Sequence, residues 1–524
     1  MMNLTLAEIA KACSGELVLS NCEQNITTTC EQYINDTRVT SVVLDSRKVE
    51  EGGVFVATLG ERVDGHKFLA DIYAKGAALA LVQKTPKQVE EEHGIDPAQW
   101  GNYCLVEDTL QALKDIAAFY RSQLSAKIIG ITGSVGKTST KEFIAGVLSE
   151  KYHVLKTEGN FNNEIGVPLT LLRIRPEHEI AVVEMGISDF GEMSRLGQMA
   201  RPDVCVITNI GQCHLENLKD RDGVLKAKTE MFDYLTEDAE VCLNGEDDKL
   251  AGVADVNGKR PHFFGLGGNE AEQVWASDIV SHGLFGSDAI LHIRNAGEIA
   301  SCGEACDCSH TTDNDMVNFP VQVPQPGNHM VLNAAAATCV ARLFDMTSEE
   351  ISAGISRIAP VSGRSHLIQL SDYTLIDDCY NANPVSMRAA LDLLALADTK
   401  KIAILGDMFE LGEDALSLHA SVGAYAAERG VDLLICIGEQ SYHMCQAAVE
   451  KTQSPEKPEH GAALKTARYF ATKQAFIEAY QDAGESLLPK HSTILLKASH
   501  GMGFAELVEL LCKEQKGRNH YEGY

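Results

Sequence analysis

The stretch GITGSVGKTST, residues 130–140, has the residue types that hold a phosphate chain, at a spacing one glycine short of the usual one. The common loop reads G-x-x-x-x-G-K-[ST]. Here Ile131 stands where its first glycine would fall, and Thr132, Gly133, Ser134, Val135 and Gly136-Lys137-Thr138 follow. An apolar strand pattern, AKIIGIT, comes before it and a helical pattern, KTSTKEFIAGVLSEKY, after it. In that setting Gly133 and Gly136 let the backbone turn tightly, so that the amides from Gly133 to Ser139 and the helix N-terminus can face anionic oxygens. Lys137 can neutralise β- and γ-phosphates, and Thr138 can offer its hydroxyl to Mg²⁺. A plain structural turn is the alternative, and the strand–turn–helix order favours the nucleotide.

Mg²⁺ bound to ATP needs further oxygen ligands or groups that orient water. Glu184 ends the apolar run EIAVVEMG, and His214 follows PDVCVITNIG. Both fall at the carboxyl edge of predicted parallel strands, where α/β sites form. Each read alone would be an ordinary surface carboxylate or loop histidine.

The elements that must position these groups fall into three regions. Residues 1–125 mix short β-rich runs (SVVLDSR, GGVFVATLG) with turns, and end on the helical TLQALKDIAAFYRSQL. Residues 126–360 alternate strand and helix, which implies a parallel sheet with crossover helices. Within them, 255–325 read as short strands and loops, VLNAAAATCVARLF as a helix, and IAPVSGR as a linker. Residues 361–524 alternate again, with strands at YTLIDD, KIAILGD, DLLICIG, ARYFAT and STILLKAS. The fold class expected is therefore α/β with three domains: a mixed α/β N-terminal domain, a central P-loop ATPase domain, and a Rossmann-like C-terminal domain.

Bulk properties narrow the function. The 524 residues exceed what one core can organise. A net charge of −29 argues against non-specific binding to nucleic acid or anionic membranes, and leaves room for a local basic pocket. No apolar run reaches the roughly 20 residues that span a bilayer. Thr5 and Glu8 form a capping-box pattern where a signal peptide would be apolar. Fifteen scattered cysteines fit reduced thiols in a cytoplasmic protein. Cys302, Cys306 and Cys308 lack a fourth ligand at zinc-finger spacing and read as a loop.

With these residues in view the chain resembles the ATP-dependent Mur ligases. TGSVGKTSTKE matches the family's T-G-x-x-G-K-T loop, which accounts for the missing glycine. GNFNNEIGVPLTLL, IDDCYNANPVSMRAAL, ILGDMFELGEDALSLH and DSRKVEEGGVFVATLGERVDGHKF are similar to further family segments in the same order. The resemblance implies that ATP phosphorylates the terminal carboxylate of a UDP-N-acetylmuramoyl-tripeptide, and that the amine of D-alanyl-D-alanine attacks the acyl phosphate. It places Thr138, Glu184 and His214 at two Mg²⁺ sites, Asn333 on adenine, Asp378 on ribose and Arg364 on phosphate. Ser46 and Arg47, together with Asp64, Gly65 and His66, would hold the uridine diphosphate portion, and Asn162 and Asn163 fall in a substrate segment. By the same resemblance Lys228, rather than Lys226, carries a carbamate derived from CO₂ and serves as a metal ligand. The bland readings are a helix cap for Asn333, a strand-end cap for Asp378, a solvated linker charge for Arg364, and a solvated helix face for Lys228.

Three positions depart from the family pattern: Ile187-Ser188-Asp189, Met330 after His329, and His500 where arginine is usual. No nucleic-acid partner or membrane insertion is expected, and a monomer is. A folylpolyglutamate-synthase-like ligase is disfavoured by GERVDGH and YNANP. A non-catalytic nucleotide-regulated binder is disfavoured by the intact set Lys137, Thr138, Glu184 and His214.

Overall fold

The computed structural model describes residues 2, 4–20, 28–60, 63–294, 316–453, 464 and 466–518. Cys302, Cys306 and Cys308 lie outside these residues. Three sheets of five, nine and six strands follow one another along the chain. In the first, Glu16–Val18 pairs antiparallel with Tyr103–Leu105, and Leu79–Val82, Val54–Val56 and Val42–Val43 continue in parallel. The expected capping box opens the first helix: Thr5 accepts from the Glu8 amide at 3.3 Å, and the Glu8 carboxylate accepts from the Thr5 amide at 2.8 Å.

In the central sheet Lys127–Thr132 lies between Val204–Ile207 and Ile180–Glu184, all parallel. Helices cover both faces, so apart from the exposed Lys127 these strands are buried and read as near-continuous apolar runs. Ile129, Ile131, Val182 and Val206 face the helices Lys137–Leu148 and Asn328–Arg342. Ile128, Val183, Cys205 and Ile207 share the opposite core with Leu113, Ile116 and Tyr120 of the helix Thr109–Ser122.

The region 255–325 departs from the expected short strands. It contains Glu272–Ser281, Ser287–Arg294 and Met316–Val323, an antiparallel ribbon that extends the central sheet. Ser287–Arg294 alternates strictly between buried and half-buried residues. A serine at a buried position, Ser287, and an isoleucine at a half-buried one, Ile290, blur the apolar signal of that alternation, and so hid its period.

The third sheet runs parallel through Tyr373–Asp377, Ser492–Lys497, Lys400–Gly406, Leu433–Ile437 and Thr466–Phe470. His366–Gln369, not anticipated from the sequence, adds an antiparallel edge. Among the described residues no helix is long and apolar enough to cross a membrane.

Arg121 ties the helix Thr109–Ser122 to the central sheet. Its guanidinium donates to the carbonyls of Ala200 (2.8 Å) and Arg201 (3.0 Å) and to the Asp203 carboxylate (2.9 Å), and its side chain is 10% exposed. Arg121→Ala takes the side-chain donor from both carbonyls and leaves Asp203 with only Lys127 and the Ile128 amide, and should lower stability by about 3 kcal/mol, the scale for losing buried hydrogen bonds to a charged group. Urea unfolding of the full chain measures the loss.

Candidate active site

The phosphate-type loop is pinned from the neighbouring strand. Asn209 accepts from the Val135 amide (2.9 Å) and donates to its carbonyl (3.0 Å), while the Thr208 hydroxyl donates to the same carbonyl (2.6 Å). Gly133 sits at φ +150°, and a Cβ there would lie 1.9 Å from Thr208 Oγ1. Gly136, at φ +84°, starts the helix Lys137–Leu148, and no side chain caps it. Its first amides are therefore left to an anionic oxygen. Lys137 folds over the loop, Nζ donating to Gly133 O at 2.8 Å, and burial lowers its pKa from the usual lysine value.

Glu184 is fully buried at the end of its strand. Its Oε1 accepts from the Thr138 hydroxyl (3.1 Å) and the Asn162 amide (2.8 Å). Its Oε2 has no hydrogen-bond donor among the described residues, and Lys141 Nζ stands 3.5 Å away. A buried carboxylate oxygen left without a donor, beside a threonine hydroxyl, is a donor set suited to a hard divalent cation. His214 follows its strand at φ +51°, and its Nδ1 lies 2.5 Å from Glu410 Oε2 of the third unit. Lys228 is 1% exposed on the helix Arg221–Thr229. Burial, with Lys137 adding to it, brings its pKa down to about 8. Among the described residues no carboxylate pairs with it.

From the third unit, Asp378 follows the strand Tyr373–Asp377. It accepts from the Ser365 amide (3.0 Å) and from Lys497 Nζ (2.6 Å). The Arg364 guanidinium stacks 3.9 Å above the Tyr380 ring, and His500 packs beside that ring at 5.5 Å. Asn333 lies inside the helix Asn328–Arg342 rather than at its cap. It is buried and its Oδ1 accepts from Thr140 Oγ1 at 2.9 Å.

One cleft of about 690 Å³ brings most of the expected residues together. Ser134, Val135, Gly136, Lys137, Ser139, Asn162, Asn163, His214, Asn333, Arg364 and Asp378 line it. Glu184 lies behind its wall in contact with Asn162, and Thr138 bonds Glu184 there. The departures Met330, Ile187 and Ser188 line it too, as does His329, whose pKa burial lowers.

The N-terminal set does not line this cleft. Ser46 and Arg47 form a short turn capped by Asp45, with the Arg47 side chain 87% exposed and folded onto Asp45 at 2.8 Å. Asp64 collects the His66 amide (2.9 Å), His66 Nδ1 (2.7 Å), Lys84 (2.8 Å) and His93 (2.8 Å). Against the upward push of burial, these bonds hold its carboxyl well below the usual range. His66 is fully buried, and its Nε2 accepts from the Gln83 amide (3.0 Å), so Nδ1 carries the proton donated to Asp64. A Cβ on Gly65 would meet Thr58 N at 2.8 Å. Asn163 caps the helix Gly166–Leu171 by accepting from the Ile165 and Gly166 amides.

Sequence reasoning did not single out Lys497, Tyr380, Asn209, Lys141 or Glu410. Lys497 had a signal, a lysine inside the apolar run STILLKAS; Tyr380, Lys141 and Glu410 lie in segments that carry the family resemblance, where nothing set them apart from their neighbours, and Asn209 had none.

Profiles of the Mur ligase family match three successive parts of the chain. The catalytic-domain profile covers residues 38–121, the middle domain 131–341, and the glutamate ligase domain 363–500. The chain belongs to the Mur ligase family. It is 31% identical to the UDP-N-acetylmuramoyl-tripeptide–D-alanyl-D-alanine ligase of Bacillus subtilis, over 97% of this chain and 98% of that protein. The crystal structure of MurF from Acinetobacter baumannii superposes with a TM-score of 0.77 at 28% identity, covering 97% of this chain and 98% of the other. A MurF ligase from Thermotoga maritima in complex with ADP superposes with a TM-score of 0.71 at 25% identity, covering 92% and 99%.

Gly133→Ala should weaken ADP binding by about tenfold or more, because the new methyl group collides with Thr208 and the left-handed φ resists a side chain. Isothermal titration calorimetry on protein with wild-type circular dichroism is the check.

Proposed function

We propose that this chain is the ATP-dependent ligase that joins D-alanyl-D-alanine to a UDP-N-acetylmuramoyl-tripeptide, giving the UDP-linked pentapeptide, ADP and phosphate. The carrying observation is the convergence of the phosphate loop, the buried Glu184 and the Asp378–Lys497 pair on one cleft. Near full-length similarity to enzymes bearing that name supports the same reading. The site of action is the cytoplasm, where the nucleotide-linked precursor and ATP occur together, and one chain supplies the whole set, as a monomer would require.

The chemistry is limited by charge. A peptide carboxylate must approach an anionic γ-phosphate, and positive charge fixed in a partly dry cleft offsets their repulsion. Lys137 and the first amides of the helix Lys137–Leu148 are placed for the β- and γ-phosphates. Asn333 orients on adenine with its amide fixed by Thr140, Asp378 takes the ribose hydroxyls, and Arg364 reaches phosphate from its seat on Tyr380. Two Mg²⁺ ions would be held by Thr138, Glu184, His214 and a carbamate on Lys228, and would add charge neutralisation at the transferring group. Carbamate formation needs a neutral amine. With a pKa of about 8, about a quarter of the Lys228 side chains are neutral at pH 7.5, against about one in a thousand for an ordinary lysine.

Once the carboxylate has become an acyl phosphate, the amine of the dipeptide adds to its carbon and phosphate leaves. Closure of the three units over the cleft would protect that intermediate from water. Ser46, Arg47, Asp64, Gly65 and His66 are assigned to the uridine diphosphate on family resemblance. Arg47 has the exposure to reach a diphosphate, while Asp64 and His66 shape the loop beneath. Asn162 and Asn163 set the wall against which the peptide end lies.

Purified protein should release ADP only when both the UDP-tripeptide and the dipeptide are present, and release without the dipeptide would contradict a ligase. Lys137→Ala should lower kcat by about 10²–10³ without unfolding, the scale for removing one preorganised charge. Lys228→Ala should be nearly inactive and partly rescued by small carboxylates, with Lys226→Ala active. Wild-type protein in CO₂-depleted buffer should lose activity, more so below pH 8 where the amine is protonated.

A further inference from the structure

We propose that Thr140 and Met330 are positioning residues that make the nucleotide site select a 6-aminopurine over a 6-oxopurine, by holding the Asn333 amide in one of its two orientations. This rests on the reading above in which Asn333 meets the base. All three residues line the cleft, and all are buried: Thr140 is 1%, Met330 4% and Asn333 8% exposed. Thr140 comes from the helix Lys137–Leu148 and the other two from Asn328–Arg342, so the amide is gripped from two helices.

An asparagine amide offers two lone pairs on oxygen and two N–H groups. Thr140 Oγ1 donates to Asn333 Oδ1 at 2.9 Å, and Asn333 Nδ2 donates to the Met330 sulfur at 3.5 Å. One lone pair and one N–H remain for a ligand. Reversing the amide is unfavourable at both ends. The oxygen would face a thioether, which has no proton to give, and Nδ2 would face Thr140. Among the described residues Asn333 Oδ1 is the one side-chain acceptor of the Thr140 hydroxyl, so the reversal would leave a buried donor unpaired. Met330 is one of the positions where this chain departs from the family pattern, and the grip on Asn333 is built partly from that departure.

The base edge that fits follows from the groups left over. Adenine presents a donor at N6 beside an acceptor at N7, the pair that an asparagine amide matches with two hydrogen bonds. A 6-oxopurine presents two acceptors and sets its oxygen against Oδ1. The other side chains beside Asn333 do not blur this choice. Phe264 and Leu332 are apolar, and His329 lies in the field of Asp378 and Lys497 at the ribose end.

The test is isothermal titration calorimetry with ADP and IDP, which differ at position 6 of the base and in the N1 proton that goes with it. Wild-type protein should bind ADP tighter by about tenfold or more. Thr140→Val keeps the branched shape without the hydroxyl, and should bring the ratio of the two affinities toward one; Thr140→Ser, which keeps the hydroxyl, should retain it. Met330→Leu removes the sulfur at similar volume and should lower the ratio in the same direction. Loss of helix packing alone would weaken both nucleotides together and leave the ratio unmoved. Wild-type circular dichroism shows that a variant is folded, and where one fails that check the other decides. Equal binding of ADP and IDP by wild type, or a ratio unmoved in a folded variant, would overturn this proposal and leave the ligase reading intact. A wild type that binds neither nucleotide would overturn both.

Discussion

Glu184 is a carboxylate with no solvent exposure, and such a group is costly unless its oxygens are engaged. Its position at the end of a central parallel strand lets two separate segments engage it: the loop helix, through Thr138 and, one turn along, Lys141, and the segment after Val154–Lys156, through Asn162. The loop, the peptide wall and the strand edge are thereby held in a fixed relation. Oε2 faces the Lys141 ammonium at 3.5 Å but accepts no hydrogen bond among the described residues, which leaves it a lone pair for a cation.

The same site manages cations in two ways. Lys141 is kept paired, while Lys137 and Lys228 are desolvated without a carboxylate bonded to them, and both have lowered pKa values. An acidic protein thus builds a local basic pocket by burial and helix geometry rather than by composition. Lysines whose charge is poorly solvated gain most from a polyanionic ligand or from conversion to an anion. Net charge, which argues against non-specific binding to nucleic acid, carries no information about this pocket.

The phosphate loop was legible because its chemistry is contiguous: the glycines, lysine and threonine lie within six residues, between a strand and a helix. Glu184 and His214 were legible as strand ends. Tyr380 and Glu410 were not, because their roles arise where the third unit meets the second, and no local period encodes that meeting. The antiparallel ribbon was misjudged for a different reason. Glu272–Ser281 does not alternate in burial at all, and in Ser287–Arg294 an isoleucine, Ile290, stands at a half-buried position while a serine, Ser287, is buried. Asp64 and His66 were read as ligand contacts, and the structure adds a local duty that the sequence pattern could not distinguish from recognition.

The ribbon also has a consequence for how this chain tolerates change. Its ladder runs unbroken from Ser287↔Val323 to Arg294↔Met316, so the two strands are clamped along their full length and their ends lie side by side. The entropic cost of joining two adjacent ends rises only with the logarithm of the number of residues between them. The ribbon itself therefore sets where the two ends meet while leaving the number of residues that join them nearly free in energy.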